Sequence, residues 1–230
     1  AFSGLVDPST GTILPNRGHS GSIDVSVRNA SLTKGATIQN GTFTNGEGGR
    51  LVIEAKETLE LSGSTISSST LGAAKAGVIS VSAPTLTLTD EASITASSSG
   101  AGPAGSVTVQ AARLSIAGGS SVDSNTVDAG LGGAVTITAT EQVRLTGSNA
   151  KGDPSQITAS TAAQRAAGQV SVTTPILTLE KGAIFTNTGA AGTAGSVTIN
   201  ANHVSLTDGA LISSRAVRSA TGDAGSVNLR

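Results

Sequence analysis

Five aspartates, two histidines and one short loop are the residues of this chain whose types suit chemistry. Asp90, Asp123, Asp128, Asp208 and Asp223 recur along a repetitive sequence, and acids stacked in this way would suit the paired carboxylates of glycoside hydrolysis. That reaction needs two carboxyl groups about 5–9.5 Å apart in a groove. Nothing in the spacing selects such a pair. Asp is common in turns, where its side chain bonds the local backbone, so solvated turn residues are the favoured reading. His19 and His203 stand seven repeats apart, in or near the same register, and cannot share a site. His203 lies beside a strand segment and reads as a solvated side chain. No Gly-x-Ser-x-Gly elbow, Walker loop or dinucleotide fingerprint occurs, nor the Gly-Gly-x-Gly-x-Asp repeat that binds calcium. No catalytic, cofactor or metal residue is assigned. The chain is expected not to be an enzyme and to carry no cofactor.

The loop is Ser148–Asn149–Ala150–Lys151–Gly152–Asp153–Pro154. From Leu145 to Ile157 there are 12 steps, against 5 from Leu61 to Ile66, so seven extra residues sit in one corner. Insertions on repeat proteins often mark a binding face, which makes Asn149, Lys151 and Asp153 the candidate exposed loop for a glycan. The competing reading is a neutral insertion, because lengthening a surface loop costs little.

Those residues must be positioned by the repeat itself. Gly105–Ser106–Val107–Thr108–Val109 comes back as Gly195–Ser196–Val197–Thr198–Ile199. Equivalent glycines at 21, 49, 77, 105, 133, 168, 195 and 225 give intervals of 28, 28, 28, 28, 35, 27 and 30. A period in this range means a solenoid, a propeller or a helical array. Each unit holds three short alternating segments, as in Ile79–Val81, Leu86–Leu88 and Ala92–Ile94. Apolar residues at i and i+2, rich in β-branched types, read as strands, and no window keeps helical spacing for two turns. Three strands of this length in 28 residues suit a coil of a parallel β-helix better than a propeller blade of about 40.

Composition agrees. Only Phe2, Phe43 and Phe185 are aromatic, as a narrow core of stacked Val, Leu and Ile requires. The second and third strands are joined by corners such as Lys34–Gly35, Asp90–Glu91, Gly118–Gly119, Lys181–Gly182 and Asp208–Gly209, where glycine is expected to supply a positive φ. Ser, Thr and Asn patches follow the third strand, as in Ser67–Ser68–Ser69 and Thr186–Asn187. Stacked in successive coils, they are expected to form hydrogen-bonded ladders. Net charge is −1, which argues against nucleic acid as a partner, since phosphate binding needs a clustered basic surface. No apolar run approaches the roughly 20 residues of a membrane helix. Zero Cys excludes disulfides and suits a chain that crosses a membrane unfolded. With no Met present, the chain is read as a processed product or a fragment.

The pattern carried by Gly195–Ser214, and with variation by Gly77–Ser98, resembles the Ser/Thr-rich repeats of filamentous-haemagglutinin-like proteins, the large surface proteins of Gram-negative bacteria. The resemblance runs from about residue 21 onward. It implies a right-handed β-helix, export by two-partner secretion, and an adhesive or filamentous role at the cell surface or outside the cell. The family's amino-terminal secretion domain is not displayed. The expected fold is therefore all-β, a right-handed parallel β-helix (β-solenoid) of about eight coils of roughly 28 residues, three short strands each. Residues 1–230 form a single solenoid, with incomplete coils at 1–20 and 225–230. Leu5 is expected near a second strand and Ile13 near a third. Phe2, Leu5 and Ile13 at one end, and Val227, Leu229 and Arg230 at the other, are candidate subunit-joining residues. The expected partners are further copies joined end to end, or the continuation of a longer solenoid, with host or matrix glycans as the alternative.

Overall fold

The computed structural model describes residues 18–43, 46–162, 164–217 and 220–230, together with the backbone of Phe2–Ser3, Leu5–Val6 and Ile13–Leu14. Strands stack in parallel as a β-solenoid of about 7 turns of ~28 residues, with no helix among the described residues. The eighth opening glycine, Gly225, begins a turn of which only Ser226–Leu229 is built.

Two sheets form the stack. The larger has eight strands, from Ile23–Thr33 at one edge to Ser226–Leu229 at the other. The smaller has seven, from Thr37–Gln39 to Leu211–Ala216. Sequence periodicity separates a first and a second segment in each coil, but in the structure they are one strand. Val78–Thr89, for example, contains both Ile79–Val81 and Leu86–Leu88. The join is a kink, seen as register shifts between Val27 and Asn29, Glu54 and Thr58, and Thr138 and Gln142. Pro84 and Pro175 sit at this kink and are skipped by the pairing, which runs from Ala83 to Thr85 and from Thr174 to Ile176. Proline offers no N–H to a ladder, so such a gap is where a parallel sheet tolerates it.

Alternation puts one residue of each pair inward, and parallel register stacks equivalents into columns. Leu51, Ile79, Val107, Val135, Val170 and Val197 form one such column, each at most 1% exposed. The neighbouring corner column is polar. Thr42, Thr70, Ser98, Thr126, Thr161 and Thr188 are joined by successive bridges and buried, and Thr42 and Thr70 hydrogen-bond through their hydroxyls at 2.9 Å. The expected Ser/Thr/Asn ladder is present on the outer side as well. The Asn125 N–H donates to Ser97 Oγ, the Ser160 N–H to Asn125 Oδ1, and the Asn187 N–H to Ser160 Oγ.

Corner length sets the backbone of the turn between the sheets. Where six steps separate the last inward residue of the long strand from that of the short one, two consecutive residues take positive φ. These are Lys34–Gly35, Asp90–Glu91, Gly118–Gly119 and Asp208–Gly209. Where the separation is five, only one does, Gly63 or Lys181. Gly182 is thus not the left-handed residue of its corner, contrary to expectation. It is small because a Cβ there would lie 2.5 Å from the Leu145 Cβ.

Asp90 and Glu91 carry φ of 57° and 61°, a conformation that costs an L-residue about 1–2 kcal/mol. Glu91→Gly is therefore expected to stabilise the chain by about 1 kcal/mol in urea unfolding. Gly119→Ala at the matching position is expected to destabilise it, since φ is +77° and the new Cβ would lie 2.6 Å from the Asn149 Cβ.

Candidate functional site

The Asn149, Lys151 and Asp153 loop closes on itself. Asn149 Oδ1 accepts the N–H groups of Lys151 and Asp153 at 3.0 and 2.9 Å, and its Nδ2 donates to Asp153 Oδ2 at 3.0 Å. The Asn149 N–H donates to the Asp153 carbonyl, and Gly152, at φ +88°, returns its N–H to the Asn149 carbonyl. Asn149 also leans on Gly119 of the turn below. Its amide and the Asp153 carboxylate serve loop closure, and Lys151 projects exposed. The insertion is a built corner, with its polar groups directed inward on itself.

The aspartates do not converge. Asp90 and Asp208 occupy equivalent corner positions four turns apart, about 19 Å at the spacing of paired strands. Asp90 accepts the Ser62 hydroxyl at 2.6 Å. Asp123 stands on the outer face of the smaller sheet and accepts the hydroxyls of Thr95, Ser97 and Ser121. Asp128 and Asp223 lie in the loops that return to the next opening glycine. No group of three or more His, Asp or Glu suited to a metal occurs among the described residues. His19 and His203 are not in register. His19 precedes the first long strand and accepts the Glu47 N–H through Nδ1, whereas His203 is exposed on the long strand Ser196–Thr207.

Val227 and Leu229 lie on the edge strand of the larger sheet, 38% and 53% exposed. Arg230 extends it, donating its N–H to Ile199 and accepting from Ala201. At the other end, the backbone of Phe2–Ser3 pairs in parallel with Gly41–Thr42. Leu5 and Ile13 depart from expectation. Leu5–Val6 pairs antiparallel with Ile13–Leu14, and not in parallel with strands of the next coil. The side chains of Phe2, Leu5 and Ile13 lie outside the described residues.

Phe185 is an aromatic residue in a column whose other members in the adjoining turns are Thr158 and Ser213. It faces outward between Ile184 and Thr186, both 0% exposed.

These features define the class of the molecule as a parallel β-solenoid with polar flanks. No protein-family model, curated protein or solved structure matches the chain.

Asn149→Ala removes the acceptor for two backbone N–H groups, each worth about 0.5–1.5 kcal/mol. In hydrogen exchange, the amides of Lys151 and Asp153 are expected to lose protection in that variant and to keep it in Lys151→Ala.

Proposed function

We propose that the chain is an extracellular, cell-surface structural solenoid: the shaft of an adhesin, or a filament subunit that extends along its axis. The carrying observation is that the inward column stays continuous to both edges. Ile23 occupies the column of Val227 through seven successive register pairs. A further turn placed on the Ser226–Leu229 edge therefore meets a matching row of side chains. Val227, Leu229 and Leu206 leave apolar surface and ladder groups open on one edge, and an unpaired edge of this kind is a template for strand addition.

Two partners satisfy that edge. Continuation of the chain fills a whole turn. A second copy docked end to end aligns Phe2 with the position of Arg215 and Arg230 with that of Asn200. The joint then rests on the larger sheet. Such a head-to-tail contact does not close on itself and generates filaments. The reading assigns the chain no catalysis, nucleic-acid binding or membrane insertion.

Analytical ultracentrifugation tests end-on assembly. Sedimentation is expected to rise with concentration for the wild type and to revert to the monomer in Leu229→Lys, where charge blocks the edge. A monodisperse monomer at every concentration contradicts it.

A further inference from the structure

One flank of the stack is grooved, and the groove deepens where two consecutive side chains are reduced to a methyl group and a hydrogen. In each turn, the fifth residue after the inward aliphatic of the short strand forms a ridge beside the smaller sheet. In register, Val122, Ile157, Ile184 and Ile212 place Val127, Ala162, Gly189 and Val217 on that ridge. Ala162 and Gly189 thus open a gap two turns tall, about 10 Å, between two valines, one of them 63% exposed. The resulting depression has a volume of about 500 Å³, within the range of ligand sites.

Gly189 is not required by the backbone. A Cβ there would meet the Ala162 Cα at 3.5 Å, an ordinary contact, and its φ is not positive. Gly195, by contrast, would place a Cβ 1.6 Å from the Gly168 carbonyl oxygen. The opening is therefore a choice of side chain that the fold does not impose.

Beneath the lining surface lies an acceptor with no partner. Asn187 Oδ1 is buried and makes no hydrogen bond, a state that costs about 1–3 kcal/mol. Asn125 below it uses its Oδ1 in the ladder, accepting from Ser160. Phe185 forms part of the same lining, and none of the described residues lining the depression is charged. An adjoining depression that shares Val127 and Ala162 continues past Asp128, Gln164 and Arg165.

We infer that this depression is a binding site for a neutral oligosaccharide. An aromatic side chain in the lining suits the C–H face of a sugar ring, and the Asn and Ser side chains beside it suit sugar hydroxyls. An uncharged depression that continues into a second one past Asp128 and Arg165 suits a chain of several residues. An extended peptide is less suited, because the ladder groups along this flank are already paired with the turns above and below. The site stands apart from the 148–154 corner and does not depend on the shaft assignment.

The test is saturation-transfer-difference NMR on the full chain with cellotetraose, mannotetraose and N-acetylchitotetraose, and a Gly/Ser-rich octapeptide as the peptide probe. Saturation transfer to at least one tetraose is expected, with affinity unchanged in Lys151→Ala. Gly189→Val fills the gap while keeping the wild-type circular dichroism and unfolding midpoint, and is expected to weaken binding about tenfold or more; Phe185→Leu is expected to weaken it likewise. Transfer to none of the three sugars at millimolar concentration overturns the inference. So does wild-type affinity in folded Gly189→Val, or transfer to the octapeptide alone.

Discussion

The stack depends on a column of glycines packed backbone to backbone. A Cβ on Gly49, Gly77, Gly105, Gly133, Gly168, Gly195 or Gly225 would come within 1.6–2.1 Å of the carbonyl oxygen of the opening glycine one turn below. None of these glycines has a positive φ. They are glycine because no side chain fits there. At this point the return loop closes onto the larger sheet, and the Gly105 N–H donates to the Ala96 carbonyl across the closure at 2.7 Å. Polar residues of the short-strand side reach the same place: Ser124 Oγ donates to the Gly105 carbonyl at 2.9 Å and Ser214 Oγ to that of Gly195 at 2.7 Å. At Gly105 the hydroxyl adds a second donor to a carbonyl that already accepts a backbone N–H from the next turn, that of Ala134.

From that constraint the rest of the cross-section follows. With one corner drawn tight, the interior holds aliphatic side chains one layer deep on each sheet, and Phe185 points outward. Function then falls to the flanks and the ends. Most flank hydroxyls near the short strands are spent on one another, as in the contacts of Thr95 and Ser97 with Asp123. The Asn187 oxygen, buried without a partner beside a ridge that dips, is an exception to that self-sufficiency.

Much of this was legible in the sequence because a parallel stack copies its period directly into the chain. The intervals between opening glycines, the inward Val, Leu and Ile, and the corner at Asp90–Glu91 all reappear in register. Periodicity was weaker where geometry depends on counting between landmarks. Five-step and six-step corners look alike as polar clusters, so the sequence points to Gly182 as the bend although Lys181 carries the positive φ. The kink at Pro84 looked like a break between strands, because a skipped pair interrupts alternation without interrupting the strand. Apolar type alone places Leu5 and Ile13 on a coil, because it does not distinguish a parallel rung from an antiparallel pair. The depression at Gly189 was hidden because a small residue in a Gly/Ala-rich loop signals nothing until its neighbours above and below are known.

The central claim is that the opening glycines are held by close approach rather than by backbone conformation. Urea unfolding of Gly105→Ala tests it most directly, because alanine readily adopts a negative φ yet brings a Cβ 1.8 Å from the Gly77 carbonyl oxygen. A loss of about 3 kcal/mol is expected, the upper range for an overpacked site. Unchanged or increased stability would contradict the claim, since with no close approach the alanine would gain from a less flexible unfolded chain.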